Sequence, residues 1–230
     1  MKNAFTMIEL VFVIIVIGIL SATIIPRIQT NPLQEAAIQL VSDIRYTQHL
    51  ALVDDKYDNN DRDSYGRVKW FRERWQINFG APGSANSKYS YTIYSDSYDD
   101  STGDPDDSEI AKNPQNKSQI MTGGCGSGIK DIRNDTFQGM KKMNIGESYG
   151  ISNVIFSRSC TFSRSKRLYF DHLGRPMYRK LGASSDNGSK QAYEPNNLLE
   201  TDCIITLVDN NDANISLAIT AETGYVKILF

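Results

Sequence analysis

From Phe5 to Ile25 the chain runs for 21 residues with one ionisable side chain, Glu9. At helical rise this run spans roughly 31 Å, close to the thickness of a bilayer's hydrocarbon core. Past Pro26 and Asn31-Pro32 the pattern changes. Leu33, Ala36, Ala37, Leu40, Val41, Ile44, Thr47 and Ala51 recur at i, i+3, i+4 and i+7, the spacing of a one-sided amphipathic helix. Gln34, Glu35, Gln39, Asp43, Arg45 and Gln48 fall on the opposite, polar face. Pro26 removes a backbone donor and is expected to kink the helix without ending it. Asn31-Pro32 is a second weak point, where Pro32 could equally restart the helix in its first turn. The pattern predicts one helix of about 50 residues with a uniformly apolar first half and a one-sided second half.

Beyond residue 53 the period shortens. Polar residues 54–67 read as a loop. Trp70-Phe71, Trp75–Phe79 and Tyr89–Tyr94 read as strands, the last with the alternation of a half-buried one. Further strands are predicted at Ile151–Phe156, Leu168–Phe170, Met177–Arg179, Cys203–Val208, Ile215–Thr220 and Tyr225–Phe230. Turns are expected at 172–175, 209–214 and 222–224. Short strands after a long helix imply an α+β fold: the helix packed on a mainly antiparallel sheet. The organisation that follows is an apolar helix over 5–25, an amphipathic half over 26–53 and a β-rich globular domain over 54–230.

Composition narrows the function less than the pattern does. The chain has 230 residues and a formal net charge of −2, so overall charge calls for no nucleic-acid partner. The acidic segment 96–109 carries seven carboxylates and no basic residue, and reads as a solvated loop. Gly123, Gly124, Gly126 and Gly128 lack the Gly-Lys-Ser/Thr ending of a phosphate loop and read as a flexible turn. His49 and His172 are far apart and form no metal or catalytic cluster. No carboxylate pair, triad or metal-ligand set stands out, so no catalytic residue, metal or cofactor is assigned.

The motif Phe5-Thr6-x-x-Glu9-Leu10 with the apolar run behind it resembles the class III prepilin signal. Type IV pilins and the pseudopilins of type II secretion share that signal. The resemblance implies cleavage between Ala4 and Phe5 by a prepilin peptidase, N-methylation of Phe5, and residues 1–4 as a leader. The family usually carries Gly before the cut, where this chain has Ala4, the next smallest residue. The resemblance also implies that Glu9 acts in assembly, pairing with the new amino terminus of a neighbouring subunit. LVSDIRYTQHLAL (40–52), LYFDHLGRPMY (168–178) and ISLAITAETGYVKI (215–228) resemble the H-type minor pseudopilins and FimT-like minor pilins. A pilin-like fold and a structural subunit of a pseudopilus or pilus follow as expectations. The implied partners are other subunits, the prepilin peptidase, the inner-membrane assembly machinery and membrane lipid. The implied localisation is the bacterial inner membrane in a single pass, N-terminus cytoplasmic and C-terminal domain periplasmic.

Two further features bear on this expectation. An oxidising compartment permits disulfides, and Cys160 with Cys203 could staple distant parts of the sheet. Cys125 could take either partner, and sequence leaves the connectivity open. Arg158, Arg164, Lys166, Arg167, Arg175, Arg179 and Lys180 cluster late, against Asp171 alone. Such a patch could hold DNA phosphates, but the favoured reading is a solvated face paired with acidic loops. The alternative function is a membrane-tethered extracytoplasmic binding domain, with DNA as its ligand in competence.

Overall fold

The computed structural model describes residues 6–24, 31–54, 56–62, 70, 73–81, 88–97, 105–161, 165–178 and 197–229, with side chains 22–24 excepted. The chain divides into two units, 1–31 and 32–230. The first contains helix α1, Met7–Ile24. The second begins with α2, Pro32–Val53, and contains every strand described.

The single long helix expected from the sequence is therefore corrected to two. Asn31 is non-helical. The physical cause is Pro32: its ring disfavours helical backbone at the residue before it, while its own fixed φ suits the first turn of a new helix. Pro26, the expected kink, lies outside the described residues. Helix α1 has 18 residues, about 27 Å at helical rise, against a hydrocarbon core of about 30 Å. Among the described residues no helix is long and apolar enough to cross a membrane. That finding overturns the expected single-pass inner-membrane localisation.

The one expected sheet is likewise corrected to two antiparallel sheets of four strands each. The first is built from β1 (Trp75–Gly80), β2 (Ser90–Ser95), β4 (Arg167–Phe170) and β5 (Pro176–Met177), in the order β2-β1-β4-β5. The second has β3 (Ile151–Phe156), β6 (Cys203–Asp209), β7 (Asn214–Ile219) and β8 (Val226–Leu229), in the order β3-β6-β7-β8. Strand β6 shows the simple rule: Cys203, Ile205 and Leu207 point inward, and the residues between them are half-exposed. The tight turn after it is held by Asp209, whose Oδ1 accepts from the amides of Asn211 and Ala213 at 2.8 and 2.9 Å.

Helix α2 packs on strands of both sheets. Its buried face is Leu33, Ala36, Ala37, Leu40, Asp43, Ile44, Thr47 and Ala51. All but Asp43 are the positions the helical period predicts. Asp43, placed on the polar face by the sequence, is 4% exposed. Its Oδ2 accepts from the Tyr91 hydroxyl at 2.6 Å and from Gln39 Nε2 at 3.0 Å. The fully buried phenol of Tyr91 on β2 thus meets its acceptor on α2, and neither group is orphaned. Burial pushes the Asp43 carboxyl up, against the lowering effect of the two donors. Burial and the Asp43 carboxylate together push Tyr91 well up.

Strand β2 is buried at every position, not alternately as expected. The segment 109–123 is the cause. It pairs along the outer edge of β2, with Ile93 N donating to Met121 O at 3.0 Å and Ala111 N to Ile93 O at 2.9 Å. Tyr94, Ile110 and Ile120 form a small second core over the strand's other face. This covers an edge that would otherwise present free backbone groups. Two loops the sequence left to solvent are drawn in by the same packing. Asp96 is buried, and Glu109 accepts from Ser97 N at 2.7 Å and Asp106 N at 2.8 Å. Gly123 is no flexible turn: its amide donates to Tyr91 O at 3.0 Å, and a Cβ there would lie 2.1 Å from the Met143 carbonyl carbon. Trp70, expected in a strand, is not in one, and Phe71 lies outside the described residues.

Cys160 and Cys203 are joined by a disulfide that closes a separation of 43 residues, and Cys125 is free. Loop-closure entropy assigns a bridge of that span about 4 kcal/mol.

Two outcomes follow from this packing. Gly123→Ala forces backbone against backbone and is expected to cost at least about 2 kcal/mol, read as a drop in thermal midpoint of about 5 °C or more. A wild-type midpoint would show that the close approach at Met143 is not there. The second concerns pH. The Asp43 pKa is raised in the fold above its ordinary 3.8, so the folded state holds the proton more tightly than the unfolded chain. The stability this contributes is complete below the unfolded value and is lost as pH rises through the folded one. Wild type should therefore gain stability relative to Asp43→Asn as pH falls from 7 to about 4. Urea unfolding at both pH values measures the gap, and a gap that moves the other way counts against a protonated Asp43.

Candidate functional site: an exposed apolar helix

Helix α1 is apolar around its whole circumference. Every side chain from Met7 to Ser21 is exposed, with Met7 at 86% and Phe12 at 70%. A helix of this kind is stable in water only when something covers it. Its sequence explains why it is helical at all. Long apolar side chains tolerate the helix well, and tertiary packing, not propensity, normally stabilises β-branched runs such as Val13-Ile14-Ile15-Val16-Ile17.

Glu9 is the one ionisable group on α1. It stands in the helix's first turn, and Thr6 is the residue before the helix begins. Glu9 Oε2 accepts from Thr6 N at 2.9 Å and from Thr6 Oγ1 at 2.8 Å. This is the reach-back half of a capping box, Thr-x-x-Glu, and it sets a negative charge at the positive end of the helix dipole. In the sequence Thr6 stands only as a letter of the Phe5-Thr6-x-x-Glu9-Leu10 motif, although Ser/Thr-x-x-Glu before an apolar run also signals a helix start. Ala4 and Phe5 lie outside the described residues.

Of the basic residues singled out late in the chain, Arg158, Lys166, Arg167 and Arg175 are among the described residues. Arg164, Arg179 and Lys180 lie outside the described residues. Arg158 follows β3 of the second sheet, whereas Arg167 begins β4 of the first. Lys166 Nζ lies 4.9 Å over the Tyr89 ring and 3.3 Å from its hydroxyl. Arg175 is tied to Asp171, with Nε 2.8 Å and an outer nitrogen 2.7 Å from Oδ2. Asp171 is 3% exposed, and its Oδ1 also accepts from the amides of Leu173 and Arg175. This arginine neutralises a buried carboxylate at the β4–β5 turn.

The three segments that carry the sequence resemblance beyond α1 do meet. Gln48 on α2 donates through Nε2 to Gly174 O at 2.7 Å and to Thr223 O at 2.8 Å, joining the β4–β5 turn to the β7–β8 turn. Gly224 has φ +67° there, and a Cβ on it would come within 2.7 Å of Gln48 Nε2. One turn earlier, Arg45 donates to Val226 O at 2.8 Å and lies 5.6 Å over the Tyr225 ring. These contacts position the turns; they bring no titratable cluster together. Among the described residues no three His, Cys, Asp or Glu gather as metal ligands.

No family model, no curated protein and no solved structure matches this chain.

Arg175→Ala should leave the Asp171 carboxylate buried without its counter-ion and cost about 2–4 kcal/mol. Chemical denaturation measures it; a loss below about 0.5 kcal/mol, the range of an exposed ion pair, would return Arg175 to the solvated surface.

Proposed function

We propose that this chain is a structural subunit of a type IV pilus or type II secretion pseudopilus, and that α1 is its assembly element. The observation that carries the reading is the full circumference of exposed apolar side chains on α1. Copies of the same helix packed side by side would cover that surface and remove its apolar area from water. At about 25 cal/mol per Å² each such helix contributes strongly to association. A bundle of this kind is a low-dielectric interior, in which an unpaired carboxylate is penalised and a paired one attracts strongly.

Glu9 then sets the register. Processing between Ala4 and Phe5 creates a positive amino terminus four residues before Glu9. The Thr6 contacts hold the carboxylate at that end of the helix, where the amine of a neighbouring copy would be placed to meet it. The β-rich unit stays outside the bundle as the subunit's folded body. The resemblance of the Phe5-Thr6-x-x-Glu9 motif to the prepilin signal supports the same reading. It also makes the prepilin peptidase the processing partner and other pilin-like subunits the assembly partners.

Mass spectrometry of protein from its native source should find N-methyl-Phe5 as the first residue. Retention of Met1 to Ala4 would remove the amine on which the register depends. Glu9→Ala should keep the folded β-rich unit, with its disulfide intact, yet be absent from sheared filament fractions. Normal incorporation of that variant would refute the role given to Glu9.

A further inference from the structure

A cavity of about 210 Å³ opens where the C-terminal end of α2 meets the start of β1 and the β4–β5 turn. It lies wholly within the second unit and takes no part in the assembly reading. Tyr57, Trp70, Trp75, Phe170 and the imidazole of His172 line it, together with the charged residues Asp54, Lys56, Glu73, Arg74 and Asp171. The rings meet at steep angles. Tyr57 and Trp70 have centroids 5.3 Å apart at 62°, and Trp70 and His172 6.4 Å apart at 76°. Walls that turn corners enclose a compact head group; a flat sugar or base would call for a parallel platform. An apolar cavity of roughly 150 Å³ holds a benzene molecule, so the space is sufficient for a group of that size.

The site already shows which charge it accepts. Lys56 places its ammonium 5.6 Å from the centroid of the Trp75 ring and 2.9 Å from Asp54 Oδ2. Asp54 also accepts from Trp75 Nε1 at 2.8 Å, which fixes the indole and sets a carboxylate at its edge. An aromatic face beside a carboxylate is the combination that attracts a cation, through the ring quadrupole and through direct charge. Lys56 reaches the ring from the irregular segment after α2 and is a third exposed, so it can leave without unfolding any element. It behaves as an internal stand-in for a ligand.

We propose that this cavity is a binding site for a small organic cation of the quaternary ammonium class, which displaces the Lys56 ammonium and seats its methylated head among Tyr57, Trp70 and Trp75. The carboxylate of Asp54 balances the charge. The aromatic faces favour methylated nitrogen over a strongly hydrated ammonium or metal ion, because burying the hydrated ion costs its water shell.

The chain's two tryptophans are Trp70 and Trp75, and both line the cavity, so tryptophan emission, excited selectively over tyrosine, reports on this site. The full-length chain, held in a non-ionic detergent, is titrated with choline at constant ionic strength. The control is 3,3-dimethyl-1-butanol, in which a neutral tert-butyl group replaces the trimethylammonium head. Choline should give a saturable change, and the neutral analogue should bind at least about fivefold more weakly, the cation–π and charge contribution. Trp70→Ala should weaken choline at least about tenfold while Trp70→Phe, which keeps an aromatic face, stays within about threefold of wild type. Lys56→Ala removes the internal competitor and should tighten binding. The absence of saturation with choline overturns the proposal. So does equal binding of the neutral analogue, which would make the site a plain apolar cavity. Equal loss in Trp70→Ala and Trp70→Phe would trace the effect to folding and overturn the aromatic assignment. Unchanged or weaker binding in Lys56→Ala would overturn the displacement.

Discussion

One face of α2 is the constraint on which the β-rich unit depends. Two antiparallel sheets that share no strand must each bury an apolar face, and this helix packs against strands of both. The face it offers includes Ala36, Ala37 and Ala51, whose small side chains let strand residues approach the helix closely. Leu33, Leu40 and Ile44 supply the apolar area between them. At 0% exposure Ala36, Ala37, Leu40 and Ile44 leave no room for a longer side chain without moving a strand. The disulfide acts at one edge of the same unit, joining the chain after β3 to the first residue of β6.

A polar side chain on that face would ordinarily be a fault. Asp43 is tolerated because Tyr91 arrives from β2 with a hydroxyl and Gln39 lies one turn back with an amide. The arrangement specifies more than a Leu–Leu contact would. Only one rotation of α2 and one register of β2 bring carboxylate and phenol to 2.6 Å. Gln48 performs the same task on the other side, where its single amide serves the carbonyls of two turns from two sheets. The helix therefore orients the sheets by hydrogen bonds as well as by apolar contact.

The first unit follows a different economy. Helix α1 buries nothing among its described side chains, and Glu9 accepts from the amide and hydroxyl of Thr6 at its start. A folded body with its own core and a separate apolar helix with none is the division of labour that the proposed assembly requires. Under the proposed assembly, the second unit keeps its own core while the apolar surface of α1 would be covered by other copies. The aromatic cavity belongs to the body, on the side where α2 ends, and its chemistry is independent of that association.

The amino-acid sequence by itself determined the local elements. The 3.6-residue period of Leu33, Ala36, Ala37, Leu40 and Ile44 marked the buried helix face, and the short β-rich run Cys203–Val208 marked β6, because such local patterns come from one element facing one core. The apolar run around Glu9 was equally plain, since a helix built from it has no polar face to turn to water. What only the tertiary structure decided depends on residues distant in the chain. Asp43 reads as surface until the Tyr91 hydroxyl, 48 residues away, donates to it in the core. Strand β2 reads as half-buried until segment 109–123 closes over it, and the same segment turns Gly123 from a loop residue into a packing contact. The partition into two sheets, the pairing of Cys160 with Cys203 over Cys125, and the meeting of Tyr57 and Trp70 with Phe170 and His172 around one cavity have the same cause. Each is a contact of long sequence separation, and such contacts leave no periodic mark on the segments that make them.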